Sequence, residues 1–262
     1  MKANANGIET YYEIHGSKDA PWLVFSHSLA CSVRMWDPQI AALKDSYRIL
    51  AYDTRGHGAS EAPKGAYTLE MLADDLKALL DVLGVKHPHF CGLSMGGMIG
   101  QTFALKYPGV LRTLMLADTT SGFPAQAWPL WQERIKIAEE KGMQPLVQPT
   151  LERWFTASFR QSHPEQVAGI AKLIAATPVA GYVGCCHAIP KINLTARLKE
   201  IKTPILVICG DQDPGTPPAM SEAIRDNAPG SKLVMIPQAA HLSNLENPAA
   251  FTKAMQDFLA AN

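Results

Sequence analysis

Phe90-Cys91-Gly92-Leu93-Ser94-Met95-Gly96-Gly97 runs from an apolar strand pattern directly into a helical one, with a serine between two glycines at the junction. A serine held out at the tip of such a turn strains its own backbone. The residues two before and two after it must be small so that strand and helix can close on each other. Gly92 and Gly96 meet that need. A helix opening at Met95 aims its free N–H groups, the positive end of its dipole, at whatever reacts with the serine. A Gly-x-Ser-x-Gly string recurs by chance in unrelated chains, so the strand before and helix after give this copy its weight. Ser94 is the candidate nucleophile. The amide of Met95, the next residue, is a candidate donor to an oxyanion.

Outward from this turn, short apolar runs alternate with helical patterns, which predicts an α/β chain with a mainly parallel sheet. Residues 22–25, 48–52, 88–93, 111–116, 204–209 and 232–236 read as buried strands. Between Thr68 and Leu83 the leucines 69, 72, 76, 79, 80 and 83 recur at helical steps, with Thr68 as N-cap and Gly84 ending the run. A last helix follows Pro248, with Phe251, Met255 and Phe258 on one side. From about 122 to 195 the alternation stops. That stretch shows helical patterns only and holds Trp128, Trp131 and Trp154. The expected organisation is a core of residues 1–121 and 196–262, with residues 122–195 as a helical lid over the C-terminal edge of the sheet, where open α/β folds place ligands.

Composition narrows the partners. Among 262 residues, 24 basic side chains balance 24 acidic ones, so the positive face that nucleic acid or a membrane surface would need is not expected. The start, Met1 to Asn6, lacks the apolar core of a signal peptide, and no run approaches the roughly 18 apolar residues of a spanning helix. Five cysteines without regular spacing, two of them adjacent at Cys185 and Cys186, point to free thiols and a cytoplasmic setting. No Gly-x-Gly-x-x-Gly follows the early strands and no His/Cys/Asp cluster has ligand spacing, so neither a cofactor nor a metal is expected. The oligomeric state has no signature in the sequence.

A serine hydroxyl needs an adjacent base, and the base needs an orienting acid, in the chain order Ser, Asp or Glu, His. The strand 204–209 runs into Gly210-Asp211-Gln212-Asp213-Pro214, and the strand 232–236 into Pro237-Gln238-Ala239-Ala240-His241. His241 is the candidate base, on the loop between the final strand and the closing helix. His15, His87, His89 and His163 read as surface or turn residues. His27 and His57 sit after earlier strands. Asp213, deeper in its loop, is the candidate acid. Asp211 and Asp118 are the alternatives, Asp211 reading better as a turn residue. The second oxyanion donor is assigned to the amide of Leu29 in the loop Phe25 to Ala30.

These residues together resemble the α/β-hydrolase family along the whole chain, and within it look most like the 3-oxoadipate enol-lactonases. The likeness rests on Ser28-Leu29 with Met35 to Gln39, on Tyr52 to Ser60, on Cys91 to Gly97 and on Arg153 to Thr156. It implies the α/β-hydrolase fold, a mostly parallel sheet flanked by helices with a helical lid. It also implies Ser94, Asp213 and His241 as the triad of an enzyme that opens an ester or lactone during aromatic degradation. The chain departs from the lactonase pattern at His27 and Ala30, where asparagine and glycine are expected, and that loop borders the acyl pocket. A carboxylate on the substrate would need a cation, and Arg34, Arg153 and Lys191 are the candidates. Trp128, Trp154 and His187 are further candidates for the pocket wall. The rival readings are a broad carboxylesterase, a C–C bond hydrolase of ring-cleavage products, and a ligand receptor that kept the fold. Dehalogenase and epoxide-hydrolase chemistry is disfavoured, because both need a carboxylate where Ser94 stands.

Overall fold

The computed structural model describes residues 1–262 apart from the side chain of Ala125. Eight strands form one sheet: β1 (Lys2–Ala5), β2 (Ile8–His15), β3 (Trp22–Ser26), β4 (Arg48–Tyr52), β5 (His89–Leu93), β6 (Thr113–Ala117), β7 (Ile205–Gly210) and β8 (Lys232–Ile236). Their order across the sheet is β1-β2-β4-β3-β5-β6-β7-β8. β1 and β2 run antiparallel to their neighbours, and every pairing from β4 to β8 is parallel. The helices are α1 (Asp37–Leu43), α2 (Leu69–Val82), α3 (Met95–Lys106), α4 (Trp128–Lys141), α5 (Gln144–Trp154), α6 (Ala157–Ser162), α7 (Pro164–Ala176), α8 (Val179–Ala188), α9 (Pro218–Asn227), α10 (Ser243–Glu246) and α11 (Pro248–Ala260).

The inner strands are mainly apolar on both faces because helices cover both. Every residue of β5, β6 and β7 is buried. In α2 the leucine stripe faces inward, Thr68 Oγ1 accepts the Met71 N–H at 3.0 Å, and Gly84 sits at φ +65 after the last turn. β1 and β2 are additions to the sequence reading. They are short or half-exposed edge strands, so their apolar signal is weak. The informative cue was the dipeptide between them: Asn6 and Gly7 take φ of 50 and 75, the pattern of a two-residue hairpin turn.

The parallel register brings the C-terminal ends of β3, β5, β6, β7 and β8 to one edge, pairing Ser26 with Gly92, Leu93 with Ala117 and Gly210 with Ile236. The loops that leave this edge carry Leu29, Ser94, Asp118, Asp213 and His241. Between β6 and β7 the chain forms α4 to α8 with no strand, apart from one bridge between Gly122 and Asn193 at the base of the excursion. All five cysteines are free and buried. No single helix is long and apolar enough to cross a membrane.

Candidate active site

Ser94 sits between β5 and α3 with φ 55 and ψ −114, a backbone conformation that costs a non-glycine residue of order 1–3 kcal/mol. The glycines around it are required by contact. A Cβ on Gly92 would collide with the Gly96 carbonyl, and one on Gly96 with the Ser26 carbonyl. The Ser94 N–H is held by Ala117 O at 2.9 Å, and Thr119 Oγ1 donates to Ser94 O at 2.7 Å. The turn is thus fixed from the neighbouring strand.

The Ser94 hydroxyl lies 2.9 Å from His241 Nε2, and His241 Nδ1 lies 2.8 Å from Asp213 Oδ2. Asp213 is itself anchored. Its Oδ1 accepts the N–H groups of Gly215 at 2.7 Å and Thr216 at 3.1 Å, and Thr216 Oγ1 donates to Oδ2 at 2.7 Å. A carboxylate bonding backbone two and three residues on is an Asx-type turn, so Asp213-Pro214-Gly215-Thr216 carried that signal. Trp154 stacks on the His241 ring at 6.1 Å between centroids.

The competing acids are occupied elsewhere. Asp211 is exposed and accepts the Ala239 N–H at 3.3 Å. Asp118 is buried, with Oδ1 accepting Gly210 N–H at 2.8 Å and Oδ2 accepting Ser243 Oγ at 2.6 Å. It therefore ties the start of the Asp213 loop to the helix after His241. Burial, then the nearby Asp213 charge, raise its pKa well above the ordinary range. One oxygen from each of these two carboxylates and the Cys209 sulfur lie within 4.8 Å of one another. Both carboxylates already accept protein hydrogen bonds at each oxygen.

The N–H groups of Leu29 and Met95 donate to no protein acceptor among the described residues. The loop bearing Leu29 is pinned by two histidines. His27 Nδ1 donates to Ser28 O at 2.7 Å and Nε2 accepts Thr54 N–H at 2.9 Å. His57 Nε2 accepts Ala30 N–H at 3.0 Å while Nδ1 faces Arg55 O at 3.2 Å. A ring nitrogen that accepts from a backbone N–H carries no proton, so both rings are neutral. Burial, chiefly, lowers His27 to about 4 and His57 to about 3. The unfolded chain takes up these protons near pH 6.5 and the folded chain does not. Their contribution is therefore complete above that pH and lost as pH falls towards 4. Each histidine should cost about 2 kcal/mol of stability at pH 5 relative to pH 7. Urea unfolding at the two pH values checks this, and a flat profile would contradict it.

A cavity of about 170 Å³ opens over Ser94 and His241. Helices α4, α5 and α8 supply Trp131, Arg134, Arg153, Trp154 and Tyr182 to its wall. Arg153 and Trp154 are thus brought to the site. Four other candidates are not. Arg34 is about half exposed and is held by Glu13 and Asp37 on the surface. Trp128 and His187 pack on each other at 6.2 Å outside this wall. Lys191 is exposed beside a different hollow. Chain position near the loop or within the insertion did not say which helix face points inward. His89, read as a surface or turn residue, is buried on β5 against Thr113 Oγ1 at 2.8 Å. Arg134 was missed, for it lies a helix away from Arg153 and no local pattern joins the two.

The profile of the alpha/beta hydrolase fold family matches residues 21–248. The chain belongs to that family. This α/β-hydrolase is 38% identical to 3-oxoadipate enol-lactonase 2 of Acinetobacter baylyi, over 96% of this chain and 93% of that one. The enol-lactonase from Burkholderia xenovorans LB400 superposes with a TM-score of 0.96 at 39% identity, covering 99% of this chain and all of that one. A thermophilic esterase from Thermogutta terrifontis, solved with malate bound, superposes at 0.94 with 29% identity, covering 100% and 98%.

Two features then complete the α/β-hydrolase site. Among the described residues, no carboxylate lies within ion-pair distance of Arg134 or Arg153. Arg153 reaches only Thr150 Oγ1 at 3.4 Å, and Arg134 lies over the Trp131 ring at 4.6 Å. Burial, then the Arg134 charge, lower Arg153 to about 10, so it stays cationic at neutral pH. The second feature is a strap between the insertion and the His241 loop. Glu246 accepts the N–H and hydroxyl of Thr156, at 2.8 and 2.7 Å, and the N–H of Ala240, while Leu242 N–H donates to Trp154 O at 3.1 Å.

Proposed function

We propose that this chain is a serine hydrolase that opens a small, carboxylate-bearing enol-lactone through an acyl-serine intermediate. The observation that carries this reading is the Asp213–His241–Ser94 relay in the floor of a cavity whose wall holds two guanidiniums without an anion. Two half-buried like charges side by side without a partner are costly, and a ligand carboxylate supplies the partner. The enol-lactonase relatives and the malate-bound esterase support a small acid in that space. Residues 122–195 serve as the lid that closes over it, and the setting is aromatic degradation in the cytoplasm.

Ser94 attacks the ring carbonyl as His241 Nε2 takes its proton. The oxyanion rests on the N–H groups of Leu29 and Met95. Asp213 holds His241 with Nδ1 protonated and balances the imidazolium. The C–O bond to the ring oxygen breaks, and His241 returns the proton to the leaving enolate, which stays tethered to the acyl chain. His241 then activates water, which cleaves the acyl-serine by the same route. Arg153 and Arg134 hold the substrate carboxylate away from the reacting carbonyl and orient the ring.

Arg153→Ala is expected to raise KM for a carboxylate-bearing enol-lactone by about 10- to 100-fold, the worth of one or two charged hydrogen bonds, with KM for a neutral aryl ester nearly unchanged. Steady-state kinetics on the two substrates decides it. An equal effect on both would favour a broad carboxylesterase instead.

A further inference from the structure

Ser28 stands in the cavity wall beside Leu29 and is 1% exposed. Its backbone is engaged, with the N–H on Met35 Sδ at 3.3 Å and the carbonyl accepting from His27 Nδ1 at 2.7 Å. Its hydroxyl is not. Ser28 Oγ is buried and bonds no protein atom among the described residues. A buried hydroxyl left alone costs about 1–3 kcal/mol, and native proteins keep few of them. Thr10, Thr54 and Ser221 also hold buried hydroxyls without partners, but none of them borders the space over Ser94.

Ser28 Oγ is four covalent bonds from the Leu29 nitrogen, so amide and hydroxyl donors issue from the same short stretch of loop. That stretch is gripped on both sides, by His27 at the Ser28 carbonyl and by His57 at the Ala30 N–H. A hydroxyl can rotate its hydrogen towards whatever acceptor arrives, whereas a third backbone N–H would need the loop to move.

We infer that the Ser28 hydroxyl is a third donor to the oxyanion, joining the Leu29 and Met95 amides. This rests on the acyl-serine reading. No proton is transferred from Ser28; it donates a hydrogen bond that strengthens as the substrate carbonyl oxygen gains charge. Such a bond favours the transition state over bound substrate and so acts on kcat more than on KM.

The test is Ser28→Ala, examined three ways. kcat and KM are measured on a carboxylate-bearing enol-lactone. The rate at which a p-nitrophenyl alkylphosphonate labels Ser94 is followed by release of p-nitrophenolate. Thermal unfolding gives Tm. The expected result is a fall of about 100-fold in both kcat and labelling rate, with KM within about 2-fold. Tm should hold or rise, because the variant removes an unpartnered polar group. Labelling of Ser28→Ala at the wild-type rate would overturn the inference and leave the acyl-serine reading standing. A drop in kcat that tracks a lowered Tm would overturn it too, as a packing effect. Failure of the wild-type protein to be labelled at Ser94 would remove the acyl-serine reading and the inference with it.

Discussion

Ser94→Ala should lower kcat by about 10⁶-fold while leaving a folded protein, the loss seen when a triad serine is removed from other hydrolases. The fold does not depend on the hydroxyl. The elbow is held by backbone bonds to Ala117 and Thr119 and by the close approach of Gly92 to Gly96, none of which involves Ser94 Oγ. The variant keeps its amides, its cavity and its arginines, so it should bind substrate and not turn it over. Kinetics on an enol-lactone, with circular dichroism to confirm folding, checks this. Turnover within ten-fold of wild type would exclude Ser94 as the nucleophile.

Asp213→Asn should cost about 10⁴-fold in kcat, and the surrounding bonds say why. Oδ1 accepts two backbone N–H groups, from Gly215 and Thr216, so an asparagine must place its oxygen there. Its amide nitrogen then falls where Oδ2 faces His241 Nδ1. An NH₂ at that point needs an acceptor, so His241 is driven to the tautomer with its proton on Nε2, pointing at Ser94. That ring can no longer take the serine proton. The magnitude follows the same substitution in another serine hydrolase. Measured rates near wild type, or an equal loss in Asp211→Asn, would shift the acid away from Asp213.

Much of this molecule was legible in its sequence where one constraint is local and unforgiving. Gly92 and Gly96 announce the elbow because two pieces of backbone must touch there. The leucines of α2 and the wholly buried, mainly apolar β5, β6 and β7 announce themselves because burial on one face or on two leaves different periods. The two N-terminal strands were lost because an edge strand needs little apolar content, although Asn6-Gly7 marked the turn between them. The pocket was the least legible part. Trp128 and Trp154 are both tryptophans in the helical insertion, yet only Trp154 reaches His241. Arg34 follows the oxyanion loop in sequence and still turns outward to Glu13, from a strand whose presence was not read.

The order Ser94, Asp213, His241 at the ends of three strands, the parallel sheet beneath them and the helical character of residues 122–195 are properties of the sequence alone. Each follows from covalent neighbours or a short-range period. Tertiary structure alone decided that Asp118 braces Gly210 and Ser243 while Asp211 stays exposed, that His27 and His57 are neutral clamps on one loop, that Arg134 joins Arg153, and that Ser28 keeps a hydroxyl free. Those facts depend on distances between segments far apart in the chain. Such distances are set by how helices and loops pack on the sheet, and packing has no period that a single sequence displays.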